Sequence, residues 1–112
     1  MKQSLEEYLT EIGRKEMLSK KKEDALAKTI QEKGPDCKEV ERLVQANLRF
    51  VVGVANVYQR RGLTIEELIE VGNKGLRKAA ETYVPDAESK FIRYAVPCVR
   101  QSIIQAIEEN KK

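Results

Sequence analysis

The run Lys90-Phe91-Ile92-Arg93-Tyr94 gathers two cations and two aromatic rings in one short segment. Phe91 and Tyr94 lie three residues apart and share a helix face. Two such rings can stack on unpaired bases, at about 1–3 kcal/mol per base. Spacing alone favours a plainer reading, two aromatics of a helical core. Arg93 and Arg100 are seven apart and share a face if the helix is continuous. With Lys90 they could pair with phosphates; a solvated helix surface is the alternative. Gln101 can bond an adenine edge bidentately, with Gln105 one turn further on. An exposed glutamine without a role competes with that reading.

Other chemistry is poorly served. The chain has no histidine, which removes His-based catalysis and a histidine-ligated zinc site. Cys37 and Cys98 are too few and too far apart for a disulfide framework or metal cluster. They read as free thiols of a reducing cytoplasm. Carboxylates are scattered over charged helix faces, and no glycine loop is built to cradle phosphate. Neither an enzyme nor a cofactor is expected.

The 112 residues suit one domain. Hydrophobic residues make up 41% and charged residues 35%, with 5% aromatics and no Trp. That balance fits a charged, all-helical domain with an aliphatic core. The net charge of +3, from 21 basic and 18 acidic residues, is too mild to establish nucleic-acid binding by itself. No run is long and apolar enough to cross a membrane, and the first residues lack the apolar core of a signal peptide.

The elements that must position these residues are helices. Ser4 caps the first, with Glu7 at the capping-box spacing, and Leu5, Tyr8, Leu9 and Ile12 mark its apolar face. Ser19 caps a second, carrying Leu26, Ala27 and Ile30, which Gly34-Pro35 ends. Asp36 is the expected cap of a third, whose stripe runs from Val40 through Asn47 and Val51 to Tyr58, stopping near Arg61-Gly62. Asn47 falls on the apolar side, where a buried amide needs partners. Gly53 inside this helix costs about 1 kcal/mol relative to Ala, and suggests close approach of a neighbouring helix. Thr64 and Glu67 open a fourth helix that buries Leu68, Ile69, Gly72, Leu76 and Ala79-Ala80. After Tyr83-Val84-Pro85-Asp86 a last helical region starts between Ala87 and Lys90 and reaches about Glu109. Pro97 lies inside it. Its missing amide and ring clash predict a kink there, or two shorter helices.

Several stretches, in order, resemble the sigma-70 family of bacterial RNA polymerase sigma factors. Leu5-Glu6-Glu7-Tyr8-Leu9-Thr10-Glu11-Ile12-Gly13 is similar to the short helix ahead of the main domain. Leu43-Val44-Gln45-Ala46-Asn47-Leu48-Arg49-Phe50-Val51-Val52 resembles the first long core helix, and Tyr58-Gln59-Arg60-Arg61-Gly62-Leu63 its end. Glu67-Leu68-Ile69-Glu70-Val71-Gly72-Asn73-Lys74-Gly75-Leu76 resembles the helix that docks on the polymerase clamp. Phe91 to Ile107 resembles the helix that melts and reads the minus-ten promoter element.

The resemblance implies an all-α bundle of about five or six helices, the region-two fold. Residues 1–34 correspond to region 1.2 and residues 35–112 to region two. It implies a cytoplasmic transcription-initiation factor that binds core RNA polymerase through Glu67, Leu68, Glu70, Asn73 and Arg77. It implies contact with promoter DNA through Asn47, Arg49, Lys90, Phe91, Arg93, Tyr94, Arg100 and Gln101.

Departures from the family weaken the DNA side. Ala87, Glu88 and Ser89 stand where Arg-Gly-Tyr is usual, and Pro97-Cys98 where two Trp are usual. Val71 replaces an acid on the docking helix. The chain as given stops after Asn110-Lys111-Lys112, before the family's linker and minus-thirty-five-reading domain. Promoter DNA is therefore expected to bind weakly. The rival reading is a sigma-derived interaction module that binds polymerase or a regulator such as an anti-sigma factor without melting DNA. A fragment of a longer sigma factor is a third.

Overall fold

The computed structural model describes residues 3–86 and 88–111. Among them the chain forms six helices and no strand, as an all-α bundle requires: α1 (Leu5–Gly13), α2 (Lys20–Lys33), α3 (Lys38–Gln45), α4 (Leu48–Val57), α5 (Ile65–Thr82) and α6 (Phe91–Asn110). None of the described helices is long and apolar enough to cross a membrane.

Local chemistry sets most boundaries. The hydroxyls of Ser4, Ser19 and Thr64 accept the backbone amides of Glu7, Lys22 and Glu67. Glu67 Oε1 accepts the Thr64 amide in return at 3.0 Å, closing a capping box. Gly34 ends α2 at φ 96°, a conformation costly for residues with a Cβ.

The expected single helix from Asp36 to Arg61 is two helices. Cys37, not Asp36, is the N-cap of α3, and it supplies no side-chain bond. The chain leaves helical geometry at Asn47, with φ −119° and ψ 6°, and re-enters at Leu48. The Asn47 amide turns to the Val44 carbonyl at 3.0 Å. Its side-chain Nδ2 then donates to the Leu43 carbonyl at 2.8 Å, satisfying the acceptor that the break would orphan.

Helix α5 packs most extensively on α6, and also on α4 and α3. Its glycines make this possible. A Cβ on Gly75 would stand 2.7 Å from the Cys98 carbonyl oxygen, and one on Gly72 would stand 2.6 Å from Val51 Cγ1. Gly53, expected to serve close approach, does not: it is exposed, and nothing lies within 4 Å of where its Cβ would be.

Pro97 does not break the last helix, which runs unbroken from Phe91 to Asn110. Phe91, Ala95, Val99, Ile103 and Ile107 are buried at four-residue steps on both sides of the proline. That apolar seam holds the register. Pro97 itself is exposed, so the lost bond lies on the solvent side. The expected start near Ala87 falls partly outside the described residues; helix begins at Phe91, with Lys90 as N-cap.

Candidate nucleic-acid interface

The open side of α6 carries Arg93, Tyr94, Pro97, Arg100, Gln101, Ile104 and Gln105, all exposed. Pro97, Arg100, Gln101, Ile104 and Gln105 line a shallow groove. Because the helix is continuous, Arg93 and Arg100 share a face. Neither belongs to an ion pair among the described residues. Tyr94 is 41% exposed. Its ring leans on Tyr83, with centroids 5.4 Å apart, and its hydroxyl meets Thr82 Oγ1 at 2.9 Å. One side of the ring is thus braced while part stays open.

Phe91 behaves differently. It is fully buried, packed edge-on to Tyr83 with centroids 5.1 Å apart. In this structure it is a core ring and does not reach the open face. Tyr83 is itself buried, which pushes its phenol pKa up, and its hydroxyl donates to the Ser89 carbonyl.

The remaining candidates on the DNA side are engaged within the fold. Asn47 is 3% exposed and spent on the Leu43 carbonyl. Arg49 Nη2 donates to the Lys15 carbonyl at 2.6 Å. Lys90 Nζ donates to the Leu18 carbonyl at 2.9 Å. Arg93, Tyr94, Arg100 and Gln101 are therefore together on α6, whereas Asn47, Arg49 and Phe91 are not part of that open surface.

The entry to α6 is fixed from α2. Lys90 offers no side-chain cap. Glu23 does so instead: its Oε1 accepts the Phe91 amide at 3.2 Å. This carboxylate is only 2% exposed, and a negative charge at a helix N-terminus is favoured by the helix dipole. Lys20 donates to the Asp86 carbonyl, and Gln31 Nε2 to the Tyr83 carbonyl at 3.2 Å. The sequence contained a signal for Glu23. It shares the apolar stripe of Leu26, Ala27 and Ile30, where a carboxylate requires a partner.

The second candidate surface lies on α5. Leu68 is fully buried and serves the core in this structure. Glu67 and Glu70 are exposed and line a groove with Leu63, Val71 and the end of α6. Hydrogen bonds from the Thr64 amide and hydroxyl lower the Glu67 pKa. Asn73 and Arg77 line an adjoining groove with Tyr8, Glu41 and Gln45, and Lys74 borders both grooves. Asn73 Nδ2 donates to the Tyr8 hydroxyl at 3.1 Å, and Arg77 pairs with Glu41. The Gln45 amide and then Arg77 lower the Glu41 pKa.

The sequence matches known proteins. The family model Sigma-70 region 2 matches residues 43–112. RNA polymerase sigma factor SigA of Listeria monocytogenes and that of Listeria innocua are each 42% identical over 105 residues, 94% of this chain and 28% of theirs. SigA of a Bacillus species is also 42% identical over 105 residues, covering 27% of that protein. The chain spans little more than a quarter of the length of these relatives. With the family model matching residues 43–112, more than half of its length, the chain belongs to the sigma-70 region 2 family.

Proposed function

We propose that this chain acts in transcription initiation as a sigma-type module that joins core RNA polymerase and holds an unpaired minus-ten strand. The observation that carries this reading is the open face of α6. Two arginines without ion-pair partners among the described residues share it with a braced, part-exposed tyrosine and a glutamine. Cations beside an exposed ring suit a single strand, whose phosphates and base faces are both accessible. The strand-contacting set is Arg93, Tyr94, Arg100 and Gln101. Glu67, Glu70, Asn73 and Arg77 of α5 are the polymerase-facing set. The work is binding exchange, with stacking on protein offsetting lost base stacking.

A second reading is an interaction module that occupies polymerase or a sigma regulator without opening DNA. Pro97 and Cys98 in place of paired aromatic residues, and Phe91 held in the core, favour it. Co-precipitation with core polymerase, followed by titration of a labelled single-stranded minus-ten probe, tests both. Polymerase capture with no strand binding would replace the first reading by the second.

A further inference from the structure

We infer that Glu23 is a positioning residue for strand binding, acting on Arg93 and Tyr94 through the first turn of α6. The inference rests on the reading of α6 as the strand-binding face.

The first turns of α6 are poorly self-supported. An α-helix leaves its first four amides without intrahelical acceptors. The usual remedy is a side-chain oxygen at the N-cap, and here the N-cap is Lys90, which has none. Two turns further on, Pro97 has no amide to give to the Arg93 carbonyl. The segment from Phe91 to Pro97 therefore lacks a support at each end, and it carries Arg93 and Tyr94.

Glu23 replaces the missing cap from 68 residues away. Its oxygen accepts the Phe91 amide, and it is enclosed at 2% exposure. Water has little access to substitute for it. Fixing Phe91 fixes the rotation of the turn, and hence the direction of the two side chains that follow. If the turn frays, only the intact fraction binds, and the apparent affinity falls with that fraction. Glu23 also lies outside residues 43–112, the part matched by the family model, so the segment before that match completes the site.

The test uses the full chain with Glu23→Ala, Glu23→Gln and Arg100→Ala. Amide hydrogen exchange is followed along α6, and affinity is measured for a single-stranded minus-ten oligonucleotide well below every unfolding midpoint. Glu23→Ala should speed exchange at Phe91, Ile92 and Arg93 while Val99 to Ile107 stay protected. It should weaken strand binding about tenfold, the scale of one charge-assisted hydrogen bond. Glu23→Gln keeps an acceptor oxygen and should restore most of both. Unchanged local exchange, or faster exchange spread evenly over the chain, overturns the inference, because Glu23 would then be an ordinary core residue. Local exchange changes with unchanged affinity also overturn it. Should Glu23→Ala fail to fold, Glu23→Gln decides: wild-type behaviour supports a cap, and tenfold weakening with the first turn still protected refutes it. If wild type binds no strand and Arg100→Ala changes nothing, the strand-binding reading fails and the inference with it. Loss on Arg100→Ala without loss on Glu23→Ala sinks the inference alone.

Discussion

Arg49 Nη2 donates to the carbonyl oxygen of Lys15 at 2.6 Å, and Lys90 Nζ reaches the carbonyl of Leu18 on the same linker at 2.9 Å. Two side chains whose types suit phosphates thus hold the connection between α1 and α2. Leu18 is 6% exposed, so the linker is also anchored in the core. Arg49→Ala should lower the unfolding free energy by about 1.5–3 kcal/mol, the range of a hydrogen bond involving a charged group. Urea denaturation measures this. Strand affinity should fall less than it does for Arg100→Ala; the opposite order would return Arg49 to the strand interface.

Gly75 and Gly53 should respond oppositely to alanine. At Gly75 the new methyl meets the backbone of α6, which cannot yield without moving the helix. The expected loss is about 1–3 kcal/mol, as for overpacking elsewhere. At Gly53 the methyl enters open space on an exposed helix surface, and stability should rise by about 0.8–1 kcal/mol. Thermal unfolding of the two variants checks both signs.

These glycines show where sequence reasoning reached and where it stopped. Caps at Ser4, Ser19 and Thr64 were legible because a cap is a local event, decided within a few residues. So was the buried side of α5. Gly53 and Gly75 are alike in sequence, and only the crossing of α5 over α6 separates them. Phe91 and Tyr94 share a face by spacing, yet only Phe91 belongs to the four-residue series with Ala95, Val99, Ile103 and Ile107. That series was present in the sequence and outweighs the pairing of the two rings. It also explains why Pro97 did not divide the helix. The Asn47 break was harder to see. An asparagine on an apolar stripe announces a need for partners, but not that the backbone will turn to provide one.

Acid should weaken the fold through Glu41 and Glu67. Both pKa values lie below the ordinary glutamate value, Glu41 through Gln45 and Arg77, Glu67 through Thr64. A lowered folded-state pKa gives stability that is complete above the unfolded value of about 4.3 and is lost as pH falls through the folded value. The Glu41–Arg77 pair is about half exposed, so its share is at most about 1 kcal/mol. Glu41→Gln and Glu67→Gln should each flatten the acid limb of stability against pH. Tyr83 has the opposite sense. Its raised pKa makes stability fall as pH climbs past about 10, a decline that Tyr83→Phe should reduce.

Strand capture and duplex opening should separate in this chain. On the proposed strand-binding reading the exposed Arg93 and Arg100 neutralise phosphates, and each contact on a single strand adds about 0.7 to the slope of log affinity against log salt. Arg93→Ala and Arg100→Ala should each lower that slope by about this amount. Tyr94→Ala should weaken binding by about 1–3 kcal/mol and leave the slope unchanged, because it removes stacking and no charge. Opening duplex DNA needs more than capture: something must hold the upstream edge of the fork apart. The positions where the family carries paired tryptophans hold Pro97, exposed but small, and Cys98, whose thiol turns back to the Tyr94 carbonyl at 3.8 Å. Nothing on this part of α6 matches the stacking area of an indole. Duplex minus-ten DNA should therefore remain closed, with or without core polymerase, under conditions where the single strand binds. Pro97→Trp with Cys98→Trp should strengthen binding to a forked probe more than to a plain single strand. Efficient opening by the unmodified chain, measured with a fluorescent base at the fork, would defeat the prediction.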